Sequence, residues 1–238
     1  MSGKLTVIGV GPGDPELLTL KGLRILKAAA CIFVPKGREE GSSLALSIVS
    51  DLLDLSGKEV VEAYFPMRKT RGATDQGDLD AQWQNTVESV MNRLNSGIDV
   101  AFITIGDPTV YSTFYYLHER LLVLNPDINV EIIPGVSSIM ASAARAGVYL
   151  GIADERIAVL PANYMSNLSD TLQGFDTIVL MKVNKVFKQI RQKLDEMQMI
   201  DKAVFVARAG MEDEKIFHNL EEVTDDDLNY FSMVIVKK

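Results

Sequence analysis

Two hydrophobic periods alternate along the chain. Short apolar runs at residues 5–10, 30–34, 58–63, 99–105 and 130–133 predict strands. Between them, apolar residues recur at helical spacing: Leu17, Leu20, Leu23, Ile25 and Leu26; then Leu44, Leu46, Ile48, Val49, Leu52 and Leu53; then Trp83, Val87, Val90, Met91 and Leu94. A further helix is expected to start at Pro108 and to reach about Leu124. Beyond a turn at Asn125-Pro126-Asp127, strands are predicted at 156–160, 177–181, 203–207, 215–218 and 231–236, with helices at 139–146, around 166–172 and at 186–197. Strands alternating with helices predict an α/β fold with a parallel sheet. The Asn-Pro-Asp turn is the expected domain boundary, giving units of 1–124 and 125–238.

Glycine and proline concentrate where strands give way to helices. The first such turn is Gly9-Val10-Gly11-Pro12-Gly13-Asp14-Pro15, the second Ile105-Gly106-Asp107-Pro108-Thr109-Val110-Tyr111-Ser112-Thr113, the third Pro134-Gly135-Val136-Ser137-Ser138, and the last Ala209-Gly210. Asp107 is expected to be an N-cap, with Pro108 at the first helical position, where its missing N–H costs nothing. The first turn lacks the glycine spacing of the dinucleotide fingerprint, having Asp14 at the sixth position, and no Gly-Lys-Ser/Thr follows it. Ligands of open α/β sheets sit at the carboxyl ends of strands, so these four turns are where a site is expected. Taken singly, each fits an ordinary βα turn as well as a ligand loop, and Tyr111 fits both a core aromatic and a site residue.

Composition narrows the chemistry. The chain has 238 residues, 47 % of them hydrophobic, as a protein with a substantial core requires. No apolar run approaches the length of a membrane span, and the first residues lead directly into a strand rather than a signal peptide, so a cytoplasmic protein is expected. Cys31 is the single cysteine and is expected to be a reduced core thiol; with only His118 and His218 beside it, no conventional zinc site is expected. A formal charge of −8 argues against a nucleic-acid partner. Locally the balance reverses at Arg68, Lys69 and Arg71, in an irregular segment after the third strand, and at Lys36 and Arg38 after the second. Such clusters serve as solvated surface or as a collector of carboxylates.

Taken together and in order, residues 9–14, 106–111 and 134–138 resemble the tetrapyrrole methyltransferase family, which carries Gly-x-Gly-Pro-Gly-Asp, Gly-Asp-Pro-x-x-(Tyr/Phe) and Pro-Gly-(Val/Ile)-(Ser/Thr)-(Ser/Ala) at this spacing. The resemblance spans essentially the whole chain. Within the family, the stretch 106–113, Val34-Pro35-Lys36 with Ser43-Leu44-Ala45, and Phe65-Pro66-Met67 look most like the methyltransferases acting at C-20 of precorrin-2 or cobalt-precorrin-2.

The resemblance implies a two-domain α/β fold, each domain a mixed or mostly parallel sheet flanked by helices, with S-adenosylmethionine bound in the interdomain cleft, and a homodimer. Carried over position by position, it implies that Pro12, Ile105, Gly106, Asp107, Val110, Tyr111, Ser112, Ser137, Ser138, Met181, Ala209 and Gly210 bind the cofactor. The implied substrate is a polycarboxylate tetrapyrrole. Lys36, Arg38, Arg68, Lys69 and Arg71 are the expected contacts for its carboxylates, since nearby cations outweigh a distant net charge screened beyond ~8 Å. Methyl transfer from a sulfonium needs neither a protein-bound metal nor a covalent enzyme intermediate, so alignment carries the catalysis. No general base is identifiable, and S-adenosylhomocysteine is the expected by-product.

Overall fold

The computed structural model describes residues 2–36, 43–64, 77–162 and 168–238. Two compact units divide the chain, Met1–Ser137 and Ser138–Lys238. The first holds five strands, β1 (Leu5–Gly9), β2 (Cys31–Lys36), β3 (Glu59–Tyr64), β4 (Val100–Thr104) and β5 (Val130–Ile133), in the order β3-β2-β4-β1-β5. All pairings are parallel, with Leu5 opposite both Val100 and Val130. That pairing corrects the expected boundary after Leu124: β5 adds an edge to the first sheet, so Asn125-Pro126-Asp127 is a turn inside the first unit.

Because side chains alternate along a strand, the sheet builds two cores. Leu5, Val7, Phe33, Val100 and Phe102 face one way and pack with α3 (Gly77–Asn95) and α4 (Phe114–Leu124) through Trp83, Val87, Val90, Leu94, Phe114, Leu117 and Leu121. Ile8, Val10, Ile32, Val34, Ala101 and Ile103 face the other way and meet α1 (Leu20–Ala28) and α2 (Leu44–Ser50) through Leu26, Ala45, Ile48 and Val49. Cys31 is buried, and desolvation followed by the nearby Glu59 carboxylate pushes its thiol up to about 11, so it stays a protonated core thiol at neutral pH.

Caps set where the helices begin. Thr19 accepts from the Gly22 N–H at α1, and Ser43 accepts from Leu46 while donating to the Pro35 carbonyl at α2. Two helices begin later than the Asp-Pro pair that precedes them, including the one expected to start at Pro108. Asp14 and Pro15 open only a single 3₁₀ turn, Pro15–Leu17, before α1. Pro108 is not helical either, because the Asp107 carboxylate bonds across to another turn and the chain reaches α4 only at Phe114.

The connection from β1 runs through α1 to β2, while that from β4 runs through α4 to β5 on the opposite side of β1. Crossovers of one hand that run in opposite directions must cover opposite faces, as α1 and α4 do. Their loops therefore part at the carboxyl ends of the adjacent strands β4 and β1, the topological switch point of this sheet.

The second unit begins with α5 (Ser138–Arg145) and carries β6 (Ile157–Pro161), β7 (Thr177–Met181), β8 (Ala203–Ala207), β9 (Lys215–Phe217) and β10 (Ser232–Lys237), ordered β6-β7-β10-β8-β9. Only β6 and β7 are parallel; β10 runs antiparallel to both β7 and β8, and β9 antiparallel to β8, so the sheet is mixed. One face, with Ile178, Leu180, Phe205, Val234 and Val236, packs on α6 (Leu168–Gly174) and α7 (Phe187–Glu196) through Leu172, Phe187, Ile190 and Leu194. Among the described residues no helix is long and apolar enough to cross a membrane.

Candidate active site

At the switch point the turns after β1, β4 and β5 meet backbone to backbone. A Cβ placed on Gly9 would lie 2.5 Å from the Gly106 carbonyl oxygen and 2.7 Å from the Gly135 nitrogen; one on Gly135 would lie 2.3 Å from that same oxygen. Only hydrogen fits at either position. The Gly106 N–H donates to the Gly11 carbonyl at 2.8 Å and Val10 N–H to Thr104 at 2.9 Å, so the ladder between β1 and β4 continues into the turns. Gly11 and Gly106 take φ of +83° and +71°, which a side chain would oppose.

Asp107 joins these turns. One carboxylate oxygen accepts from the Thr109 N–H at 2.7 Å and from its hydroxyl, and the other accepts from the Gly135 N–H at 3.0 Å. The side chain thus closes its own turn and clamps the turn after β5 to it. Sequence patterning placed Gly9 and Gly135 in candidate ligand turns but did not show that these turns meet each other and Gly106 backbone to backbone.

Around this junction Pro12 and Ser137 are buried, while Ile105 and Val110 are partly exposed. Ser112 Oγ lies 3.4 Å from Thr104 Oγ1 and accepts from the Phe114 N–H, leading the chain into α4. Tyr111 is 49 % exposed with φ of +52°. That removes the core reading for its ring. An L-residue in the left-handed region costs about 1 kcal/mol or more and persists where the surroundings impose it, commonly at functional sites.

Ser138, Met181, Ala209 and Gly210 lie in the second unit. Met181 ends β7 opposite Met233 and Pro161, and Lys182 after it has φ of +59°. Ala209 is buried in the turn after β8, between Arg208 at φ +55° and Gly210 at φ +77°. Gly210 N–H donates to Glu214 Oε2 at 2.7 Å, and Glu214 is gripped by Arg145 Nε at 2.7 and 2.9 Å. Burial raises the Glu214 pKa, but the hydrogen bonds from Arg145 and Gly210 outweigh it and hold the carboxyl below its ordinary value. Nothing in the sequence marked Glu214, which stands in a polar run without a spacing signature.

Of the expected substrate cations, Lys36 pairs with Glu62 at 2.7 Å and is largely buried, at the carboxyl end of β2. An open cavity adjoins Glu62, between β3 and α3, lined by Phe33, Tyr64, Asn85, Thr86 and Ser89 among others. Arg38, Arg68, Lys69 and Arg71 lie outside the described residues. Among the described residues no three His, Cys, Asp or Glu side chains gather as a metal site.

A main-chain cradle without a nucleophile suits a ligand that arrives already activated. Known proteins share much of this sequence and fold. The chain is 39 % identical, over 99 % of its length and 96 % of the other's, to a probable cobalt-precorrin-2 C(20)-methyltransferase of Methanocaldococcus jannaschii. It is 36 % identical, over 100 % of its length and 98 % of the other's, to the cobalt-precorrin-2 C(20)-methyltransferase of Salmonella typhimurium. Among solved structures, a cobalt precorrin-4 methyltransferase superposes with a TM-score of 0.76 at 23 % identity, over 98 % of this chain and 94 % of that one, which shows the same two-domain α/β fold. Residues 4–224 match the family described as Tetrapyrrole (Corrin/Porphyrin) Methylases. With that match over residues 4–224 and relatives above 30 % identity along the full length, the chain belongs to the tetrapyrrole methylase family.

Proposed function

We propose that this protein methylates C-20 of precorrin-2 or cobalt-precorrin-2 in cobalamin biosynthesis, using S-adenosylmethionine. The observation that carries the reading is the 39 % and 36 % identity, over nearly the full length, to two proteins named for that activity, and the junction of Gly9, Gly106 and Gly135 at the switch point of a parallel sheet supports where the cofactor sits. When bound, S-adenosylmethionine supplies a methyl group already activated on sulfur. The chain's task is then to hold and orient. A ligand at such turns is read chiefly by shape, and rigid positioning of two reactants is worth several kcal/mol of barrier.

Pro12, Ile105, Gly106, Asp107, Val110, Tyr111, Ser112 and Ser137 are the proposed cofactor residues of the first unit, and Ser138, Met181, Ala209 and Gly210 those of the second. Asp107 serves by fixing the turns, since both of its oxygens are engaged by the chain itself. Lys36, Arg38, Arg68, Lys69 and Arg71 are proposed to receive the substrate's carboxylates, as cations suited to charge-assisted hydrogen bonds. The family resemblance also supports reading the enzyme as a cytoplasmic homodimer.

Incubating the purified protein and S-adenosylmethionine with metal-free precorrin-2 and with its cobalt complex tests the proposal. The expected result is a product carrying one added methyl, placed at C-20 by NMR, from at least one of the two substrates. Methylation of neither, or methylation of a different intermediate in their place, overturns it.

A further inference from the structure

The turn after β8 contains two left-handed residues close together, Arg208 at φ +55° and Gly210 at φ +77°. The first is a strained position for an L-residue, so the turn needs ties to its surroundings. Several exist: Arg208 N–H donates to Phe231, its guanidinium pairs with Asp213, and Met211 N–H donates back to Arg208. The tie to the Gly210 amide itself comes from Glu214, at 2.7 Å.

Glu214 is in turn held from a different element. Arg145, the last residue of α5, engages both of its oxygens through Nε, and Nη2 stands 2.6 Å from Oε1. The Glu214 side chain is only 10 % exposed while that of Arg145 is 61 % exposed, so the carboxylate is shielded and its partner reaches it from the solvent side. Helix α5 begins at Ser138. One ion pair therefore joins the two segments of this unit, Ser138 with its helix and Ala209-Gly210, that the cofactor reading singles out.

We propose that Glu214 is a positioning residue for S-adenosylmethionine: it holds the Gly210 N–H, and so the main chain of the Ala209-Gly210 turn, in the geometry the cofactor meets, while Arg145 sets where that carboxylate stands. The inference rests on the assignment of Ala209-Gly210 to the cofactor site.

Calorimetric titration of S-adenosylhomocysteine into the full-length protein tests it, using Glu214→Ala, Glu214→Gln, Arg145→Met, the Glu214→Ala/Arg145→Met double variant and Gly210→Ala. Glu214→Ala is expected to raise Kd by about tenfold or more, the usual consequence of losing a charged acceptor from a partly buried donor. Glu214→Gln keeps an oxygen for the Gly210 N–H and is expected to recover part of that loss. The double variant is expected to bind no worse than Glu214→Ala alone, because the two side chains act as one unit. The KM for S-adenosylmethionine rises in step while kcat at saturating cofactor stays near the parent value, a split that a general loss of stability does not produce.

A lowered Tm with Kd within twofold of the parent in Glu214→Ala overturns the proposal. Should that variant not fold, unchanged Kd in both Glu214→Gln and Arg145→Met overturns it equally. Gly210→Ala separates the two levels of the argument. If it weakens binding while the Glu214 variants do not, the positioning role falls and the site assignment stands; if none of them changes Kd, the assignment of this turn falls with it.

Discussion

Gly135 and Asp107 show how single residues build this site. A carboxylate in a turn from strand to helix commonly caps the following helix, but here it reaches a glycine amide in the turn after β5, a strand two places across the sheet. That bond brings the Gly135 main chain so close to Gly9 and Gly106 that the position has no room for a methyl group. Gly135→Ala is therefore expected to destabilise the protein by about 2 kcal/mol or more, since the atoms it meets are backbone and cannot rotate away. Urea unfolding measures the loss, and S-adenosylhomocysteine titration of the folded fraction is expected to show weakened binding. Unchanged unfolding would mean that the turns separate at little cost.

At the scale of elements, Trp83 is the largest of the buried side chains that seat the long helix α3 on its core. Trp83 is 2 % exposed, lies edge-on to Tyr116 of α4 with ring centroids 5.9 Å apart, and carries the Arg120 guanidinium over its ring. It ties α3 to α4, the helix that follows the Gly106 turn, within the core built on Phe33, Phe102 and Phe114. Trp83→Ala removes one of the largest side chains in that core and is expected to cost about 3 to 5 kcal/mol, seen as a lower denaturant midpoint. A loss below about 1 kcal/mol would show that α3 is held by its smaller apolar residues instead.

Over the whole molecule, carboxylates set the acid limit of stability. Hydrogen bonds from Lys215 and then Thr224 bring Asp227 down to about 2, and those from Lys21 and then Lys4 do the same for Glu131. Both groups ionise more readily in the folded chain. Below their ordinary values the unfolded chain takes up protons first, so this stabilisation is complete at neutral pH and is lost as pH falls from about 4 through about 2. The expected Tm is level from pH 7 to about pH 5 and then falls, and Asp227→Asn, which is 6 % exposed in the parent, makes the acid limb shallower. An acid limb unchanged in that variant would assign the loss to other carboxylates.

The alternation of strand and helix, the period-two burial that loads both faces of the first sheet, and the turns at Gly106, Gly135 and Gly210 are legible in the sequence, because each follows from local spacing or from the backbone freedom of glycine. Three ordered turns also identify the family. Strand order is different in kind. That β5 joins the first sheet beside β1 depends on pairing between distant segments, which no local pattern records, and the unit boundary moves with it. The same holds for Asp107, whose expected helix cap gives way to a carboxylate shared between Thr109 and Gly135 while α4 begins only at Phe114, and for Glu214, placed by Arg145 from far along the chain. Local propensity selects the elements; hydrogen bonds between segments distant in sequence decide which turns meet and which side chains hold them.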